Sequence, residues 1–137
     1  SDLTVAWDAS AFVDADATAA ALAGGDAAVL DARSPSRFSG VEPDPREGVR
    51  AGHMPGADSL HYASIAPDGR MLPAAALAER LRAAAGERPV IATCGSGVTA
   101  AVLALAATLT GREATVYDGS WSEWGRDDSG RPTVTED

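Results

Sequence analysis

Short unbroken apolar runs alternate along this chain with longer segments whose apolar residues recur at helical spacing, and that alternation predicts an α/β domain. Ala27-Ala28-Val29-Leu30-Asp31 reads as a short buried strand ending on a carboxylate. Val90 to Thr93 reads as the central buried strand and Ala114 to Tyr117 as another. Asp16 to Leu22 is a short helix with an aspartate cap, closed by Gly24-Gly25. Pro73 opens a helix that runs to about Ala85, with Leu77 and Leu81 on one face, Glu79, Arg80 and Arg82 off it, and Gly86 as its stop. The segment from about Val98 to Leu109 is apolar nearly all round, which predicts a helix sandwiched against the sheet. From Arg33 to Gly56 the chain is polar and rich in Pro, Gly and Arg, the pattern of a long functional or disordered loop. No internal repeat is visible. Only the tails, Ser1 to Leu3 and Asp127 onward, read as loose, leaving a core of about 4–126.

A chain of 137 residues is one domain with a single substantial core. No stretch approaches the ~20 apolar residues that span a bilayer. The net charge of −9 argues against nucleic acid or an anionic membrane as partner. All 11 basic residues are arginine, which excludes a Schiff-base or phosphate-loop lysine. Asn and Gln are absent too, so a Cys-His-Asn protease site cannot be built. One cysteine permits no internal disulfide and fits a reducing compartment, so a cytoplasmic location is expected. The chain begins on Ser1 rather than methionine, and the expectation is that a targeting segment or a whole domain precedes it.

That cysteine, Cys94, stands where the central strand ends and an alanine-rich helix begins. A thiol there sits at the positive end of a helix dipole, among backbone N–H groups without intrahelical partners. Cysteine in such surroundings gains thiolate character, and Gly95 and Gly97 let the loop turn its N–H groups inward as an anion-binding nest. A lone cysteine without context is a small buried hydrophobe, but a core cysteine belongs inside the apolar run, not past its end beside Gly-Ser-Gly. The segment reads as a nucleophile in an anion cradle. Cysteine-dependent phosphatases place an arginine six residues after the nucleophile; here that position is Ala100, so the phosphoryl clamp is missing.

Cys94-Gly95-Ser96-Gly97-Val98-Thr99 resembles the active-site loop of the rhodanese (sulfurtransferase) family, in the form typical of 3-mercaptopyruvate sulfurtransferases and related bacterial two-domain enzymes. Four more segments agree in order. Asp31-Ala32-Arg33 and Gly52-His53-Met54-Pro55-Gly56-Ala57 resemble the two amino-terminal landmarks. Arg37-Phe38 with Gly40 to Arg46 resembles the substrate loop of the catalytic half. Tyr117 to Trp124 resembles its carboxy-terminal stretch.

The resemblance implies a rhodanese-like α/β fold, a mostly parallel five-stranded sheet with helices on both faces. It implies the catalytic, carboxy-terminal half of a tandem enzyme whose inactive amino-terminal domain completes the pocket. Cys94 then takes the outer sulfur of a small anionic donor, 3-mercaptopyruvate or thiosulfate, as a persulfide. It passes that sulfur to cyanide or a thiol, a thioredoxin-like protein among the candidates. Backbone N–H groups can hold the anionic persulfide, so no metal or organic cofactor is expected.

Ser96 is placed to hydrogen-bond the substrate or departing group, and reads equally as a plain loop serine. Arg37 and Arg46, taken alone, are solvated surface cations; the resemblance makes them the pair that binds the donor carboxylate. Against a charge of −9 only such forked local cations can hold an anion. Neutral Gly95 and Ser96 favour 3-mercaptopyruvate over the dianion thiosulfate. His53 is expected to order its loop through hydrogen bonds, Asp31 to tie down neighbouring N–H groups, and Trp121 and Trp124 to be core. His61 belongs to no motif. The contrasting readings are a sulfur-relay module fed by a partner and a non-catalytic rhodanese binding module; the intact cysteine loop speaks against the second only.

Overall fold

The computed structural model describes residues 12–95 and 99–135. Its strands are β1 (Phe12–Val13), β2 (Ala28–Asp31), β3 (Asp58–Ser59), β4 (Val90–Thr93) and β5 (Ala114–Tyr117), paired in the order β1-β5-β4-β2-β3. Every pairing is parallel, so β4 is the central strand of a sheet covered on both sides. The helices among the described residues are α1 (Ala15–Gly24), α2 (Pro35–Ser39), α3 (Tyr62–Ile65), α4 (Ala74–Ala85), α5 (Ala100–Leu109) and α6 (Ser120–Trp124), with a 3-10 turn at Pro67–Gly69.

Strand alternation sorts the core into two layers. Leu30, Val90, Ala92 and Val116 pack with Leu77 and Leu81 of α4 and Leu103 of α5. Val29, Ile91 and Tyr117 pack on the other face with Phe38 of α2 and Trp121 and Trp124 of α6. Helix α5 lies on the sheet with α3 and α4 beside it, which is why it buries Ala100, Leu103, Ala104, Ala106 and Ala107.

The expected strands and the two longer helices form where the pattern placed them, with small shifts at the ends. The cap of α1 is Asp14, whose Oδ1 accepts the Ala17 N–H at 2.9 Å, and Gly25 closes the helix at φ 77°. The start of the α5 segment at Val98 lies outside the described residues.

Two expectations are corrected. The polar stretch from Arg33 to Gly56 is not all loop: Ser34 caps α2 and Pro35 opens it. Five residues are too few to display a helical period, and only the Ser-Pro start signal marks it. The segment from Asp127 to Thr135 is not loose. The His53 and Val134 N–H groups each donate to the other's carbonyl, at 2.8 and 2.9 Å, and the Trp124 indole donates to the Pro132 carbonyl at 2.8 Å. Its polar composition hid main-chain bonding that no side-chain pattern reports. Ser1 to Leu3 lie outside the described residues.

Candidate active site

Cys94 follows the last residue of β4 and continues the side of the strand that carries Val90 and Ala92, so its thiol points into the layer under α5 and is 1% exposed. The carboxyl ends of a parallel sheet are where α/β folds build their sites. Here the register sets Asp31 of β2 beside Thr93 of β4, which brings the segments leaving both strands together.

Helix α6 holds the start of the loop from behind. Its Trp121 and Ser122 N–H groups donate to the carbonyls of Cys94 and Gly95, each at 2.9 Å. Orphan donors at a helix start are thereby satisfied by the backbone they position. Ser120 begins α6 at φ 56°, a left-handed conformation unusual for a non-glycine residue. Its buried hydroxyl donates to the Tyr117 carbonyl at 3.0 Å, accepts the Cys94 N–H at 3.3 Å, and lies 3.9 Å from Cys94 Sγ.

In front of the loop a pocket of about 340 Å³ is bounded by Gly95 and Thr99 on one side and by Arg33, Arg37, Arg46 and His61 on others. Each arginine carries its own carboxylate. Arg33 is buried, forks onto Asp31 with its closest contact at 2.7 Å, donates to the Gly52 carbonyl, and stacks 4.7 Å from the Trp121 ring centre. Arg37 Nε donates to Glu42 at 2.9 Å. Arg46 Nη1 donates to both oxygens of Asp44 at 3.0 Å, and the Asp44 carboxylate also accepts the Arg46 N–H at 2.9 Å. The hydrogen bond from Ser36, and then Arg37, hold the Glu42 carboxyl below its ordinary range.

The Arg46 guanidinium lies directly against Gly95: a Cβ built there would come within 3.0 Å of its Nη2. The structure thus brings Arg37, Arg46, Gly95 and Thr99 into the lining of one pocket, and the buried Cys94 directly precedes Gly95. Ser96, Gly97 and Val98 lie outside the described residues.

His53 is buried, its Nδ1 donating to the Phe38 carbonyl at 2.7 Å and its ring stacked on Phe38, so it fastens its loop to α2. Asp31 accepts the Arg33 N–H at 3.0 Å. Trp121 and Trp124 are core.

Sequence reasoning missed Ser120, Asp44, Glu42 and Arg33 as members of the site, and His61 as part of the pocket wall. The Asp-x-Arg spacing of Asp31/Arg33 and Asp44/Arg46 is a local signal that could have found two of them. Nothing local ties Ser120 to a cysteine 26 residues earlier.

A family profile described as the rhodanese-like domain matches residues 14–127, and the chain belongs to that family. Among curated relatives, a 3-mercaptopyruvate sulfurtransferase of Escherichia coli K12 is 41% identical over 102 residues, 72% of this chain and 36% of that protein. A probable 3-mercaptopyruvate sulfurtransferase of Pseudomonas aeruginosa is 43% identical over 135 residues, 95% of this chain and 46% of that protein. The crystal structure of the Tum1 protein from Saccharomyces cerevisiae superimposes with a TM-score of 0.76 at 32% identity, covering 91% of this chain and 46% of that one. The chain therefore spans less than half the length of these relatives. Among the described residues no helix is long and apolar enough to cross a membrane.

Proposed function

We propose that this chain is a sulfurtransferase domain in which Cys94 carries sulfur as a persulfide between a small anionic donor and a thiol or cyanide. The observation that carries the reading is the Arg46 guanidinium packed on Gly95, one residue from a thiol at the carboxyl end of the central strand. The names of the relatives point the same way.

In this reading the Cys94 thiolate attacks the sulfur of 3-mercaptopyruvate. The C–S bond breaks with its electron pair going to carbon, and the proton of the substrate thiol ends on that carbon, releasing pyruvate. With thiosulfate the S–S bond breaks and sulfite leaves with the pair. Cyanide or a thiolate then attacks the outer persulfide sulfur and returns the Cys94 thiolate. Ser96, Gly97, Val98 and Thr99 would complete the loop around that sulfur. Arg37 and Arg46 would bind the donor carboxylate, each charge-assisted contact being worth roughly 1.5–3 kcal/mol where water is excluded. Space beside Gly95 is occupied by Arg46, which favours the carboxylate donor.

The whole protein would add an upstream rhodanese domain, and a reducing compartment such as the cytoplasm suits the single thiol. A thioredoxin-like thiol is a candidate acceptor.

The test is intact mass after incubation with each donor, with Cys94→Ser as control. A gain of one sulfur atom, absent in the variant and reversed by cyanide, is the expected result. If neither donor adds sulfur, in this chain or in the full-length protein, the reading fails. Gain in the full-length protein alone means that the upstream domain is required.

A further inference from the structure

We propose that His61 makes anion binding in this pocket proton-dependent, its protonated ring supplying the one positive charge that, among the described residues there, no carboxylate already balances. The inference rests on the pocket being the donor site of the reading above.

The charges around the site come in matched pairs. Asp31 faces Arg33, Glu42 faces Arg37 and Asp44 faces Arg46, so the fixed charges that line or directly back the pocket cancel. Among the described residues the remaining titratable groups on its wall are His61 and Tyr62, while the Cys94 thiol beside Gly95 is buried. A tyrosine is neutral below about pH 10. Histidine is the side chain whose charge changes between about pH 5 and 8. Protonation of His61 therefore takes the set from balanced to a net single positive charge, in a protein whose overall charge of −9 otherwise repels the ligand.

The position of His61 is built rather than incidental. Beyond the edge strand β3 the pairing with β2 continues, the Leu60 N–H donating to the Asp31 carbonyl at 2.9 Å and the Tyr62 N–H to the Ala32 carbonyl at 3.1 Å. Those two bonds flank His61 and carry it to the same end of the sheet as Arg33 and Cys94. It is half-buried, occupies the N-cap position of α3 with no side-chain cap bond, and meets the Tyr62 ring edge-on at 5.1 Å. Among the described residues its ring makes no hydrogen bond or ion pair, so both nitrogens are available to a ligand.

Binding and protonation are linked: an anion that prefers the protonated pocket must raise the affinity of His61 for its proton by the same factor. Pyruvate, a monoanion throughout the range with no sulfur to transfer, is the probe, used on the Cys94→Ser variant so that neither thiol addition to its keto group nor thiolate charge enters. The chain holds only two histidines, so ring resonances from His53 and His61 are readily assigned with the His61→Gln variant. Pyruvate should bind roughly fivefold tighter at pH 5.5 than at pH 8.5, the upper end for a solvent-accessible ion pair. The His61 titration midpoint should rise when pyruvate is added, and the pH dependence of binding should vanish in His61→Gln while binding at pH 8.5 is kept. An unmoved midpoint, the same pH dependence in the variant, or no pyruvate binding overturns the proposal. These readouts need no turnover: failure of both donors to add sulfur removes the sulfurtransferase reading, whereas the midpoint shift judges His61 independently.

Discussion

The Ser120 hydroxyl lies 3.9 Å from Cys94 Sγ and accepts the backbone N–H of the same residue at 3.3 Å. Its single proton goes to the Tyr117 carbonyl at 3.0 Å, and a thiolate at Cys94 competes for it. Ser120→Ala strips the buried Cys94 N–H of this partner and keeps a Cβ in left-handed backbone at φ 56°. It should cost about 1–3 kcal/mol in stability and slow persulfide formation at least several-fold. Ser120→Gly loses the same hydroxyl but relieves the backbone, and should be about 1 kcal/mol more stable than the alanine variant. Denaturant midpoints and single-turnover rates on both variants check this; equal stability, or unchanged rates, would remove Ser120 from the site.

Gly95 is where Arg46 rests. A methyl group there meets the far end of a flexible side chain, Nη2 at 3.0 Å, so Gly95→Ala should displace the guanidinium and leave the fold nearly as stable. The expected result is a stability change within ~0.5 kcal/mol and a KM for 3-mercaptopyruvate raised about tenfold, one lost charge-assisted contact. Asp44→Asn should raise KM by a different route, by loosening the arginine that Asp44 clamps through both oxygens. Steady-state kinetics with kcat and KM resolved decide between loss of binding and loss of fold.

Glu42 already occupies Arg37 at 2.9 Å and so competes with a donor carboxylate. Glu42→Gln removes that competing charge, and KM for 3-mercaptopyruvate should fall by roughly threefold, the scale of an exposed ion pair. The Ser36 hydrogen bond and Arg37 hold this carboxyl below its ordinary range, so it binds fewer protons folded than unfolded. Its contribution to stability is therefore complete above the unfolded carboxylate value near pH ~4.3. It is lost as the pH falls through the lower folded value. An acid-unfolding profile identical in Glu42→Gln would contradict it.

Removing residues 131–137 should destabilise the domain without touching the pocket. Besides the Arg131 bonds to Ser129 and to the exposed Asp16, the cut deletes four hydrogen bonds that tie the segment down: the Arg131 carbonyl from Arg50, the Pro132 carbonyl from Trp124, and the two between His53 and Val134. At roughly 0.5–1.5 kcal/mol each those four amount to about 2–6 kcal/mol in a urea titration. Gly52→Ala should act in the same direction, because at φ 111° its Cβ would strike the Val134 carbonyl oxygen.

The sheet was legible wherever a short unbroken apolar run crosses it, as at Val90-Ile91-Ala92, and the long helices wherever spacing repeats, as at Leu77, Leu81 and Ala85 of α4. Strands of two residues, β1 and β3, show no period and escaped notice. The same held for α2. In the candidate site, Cys94 and Gly95 stood out from their place at a strand-to-helix junction, whereas Thr99, Arg37 and Arg46 were singled out only by the family resemblance; what the structure adds is that Arg37, Arg46, Gly95 and Thr99 line one pocket. The carboxylates that neutralise the arginines went unweighed, and Ser120 could not be paired with Cys94, since hydrogen bonds leave no periodic mark on a sequence.

By itself the sequence determined the chemical inventory: one thiol at a strand-to-helix junction, two glycines to open the loop, arginine as the only fixed cation, and an acidic balance that any anion must overcome. Those follow from residue type and local spacing. Tertiary structure decided the environment of each group. It set Ser120 against Cys94, laid Arg46 on Gly95, paired every pocket arginine with a carboxylate, and brought His61 past the sheet edge to face them. Parallel pairing alone does this, because it gathers the ends of strands distant in sequence at one edge, where electrostatics depends on distance and not on order along the chain.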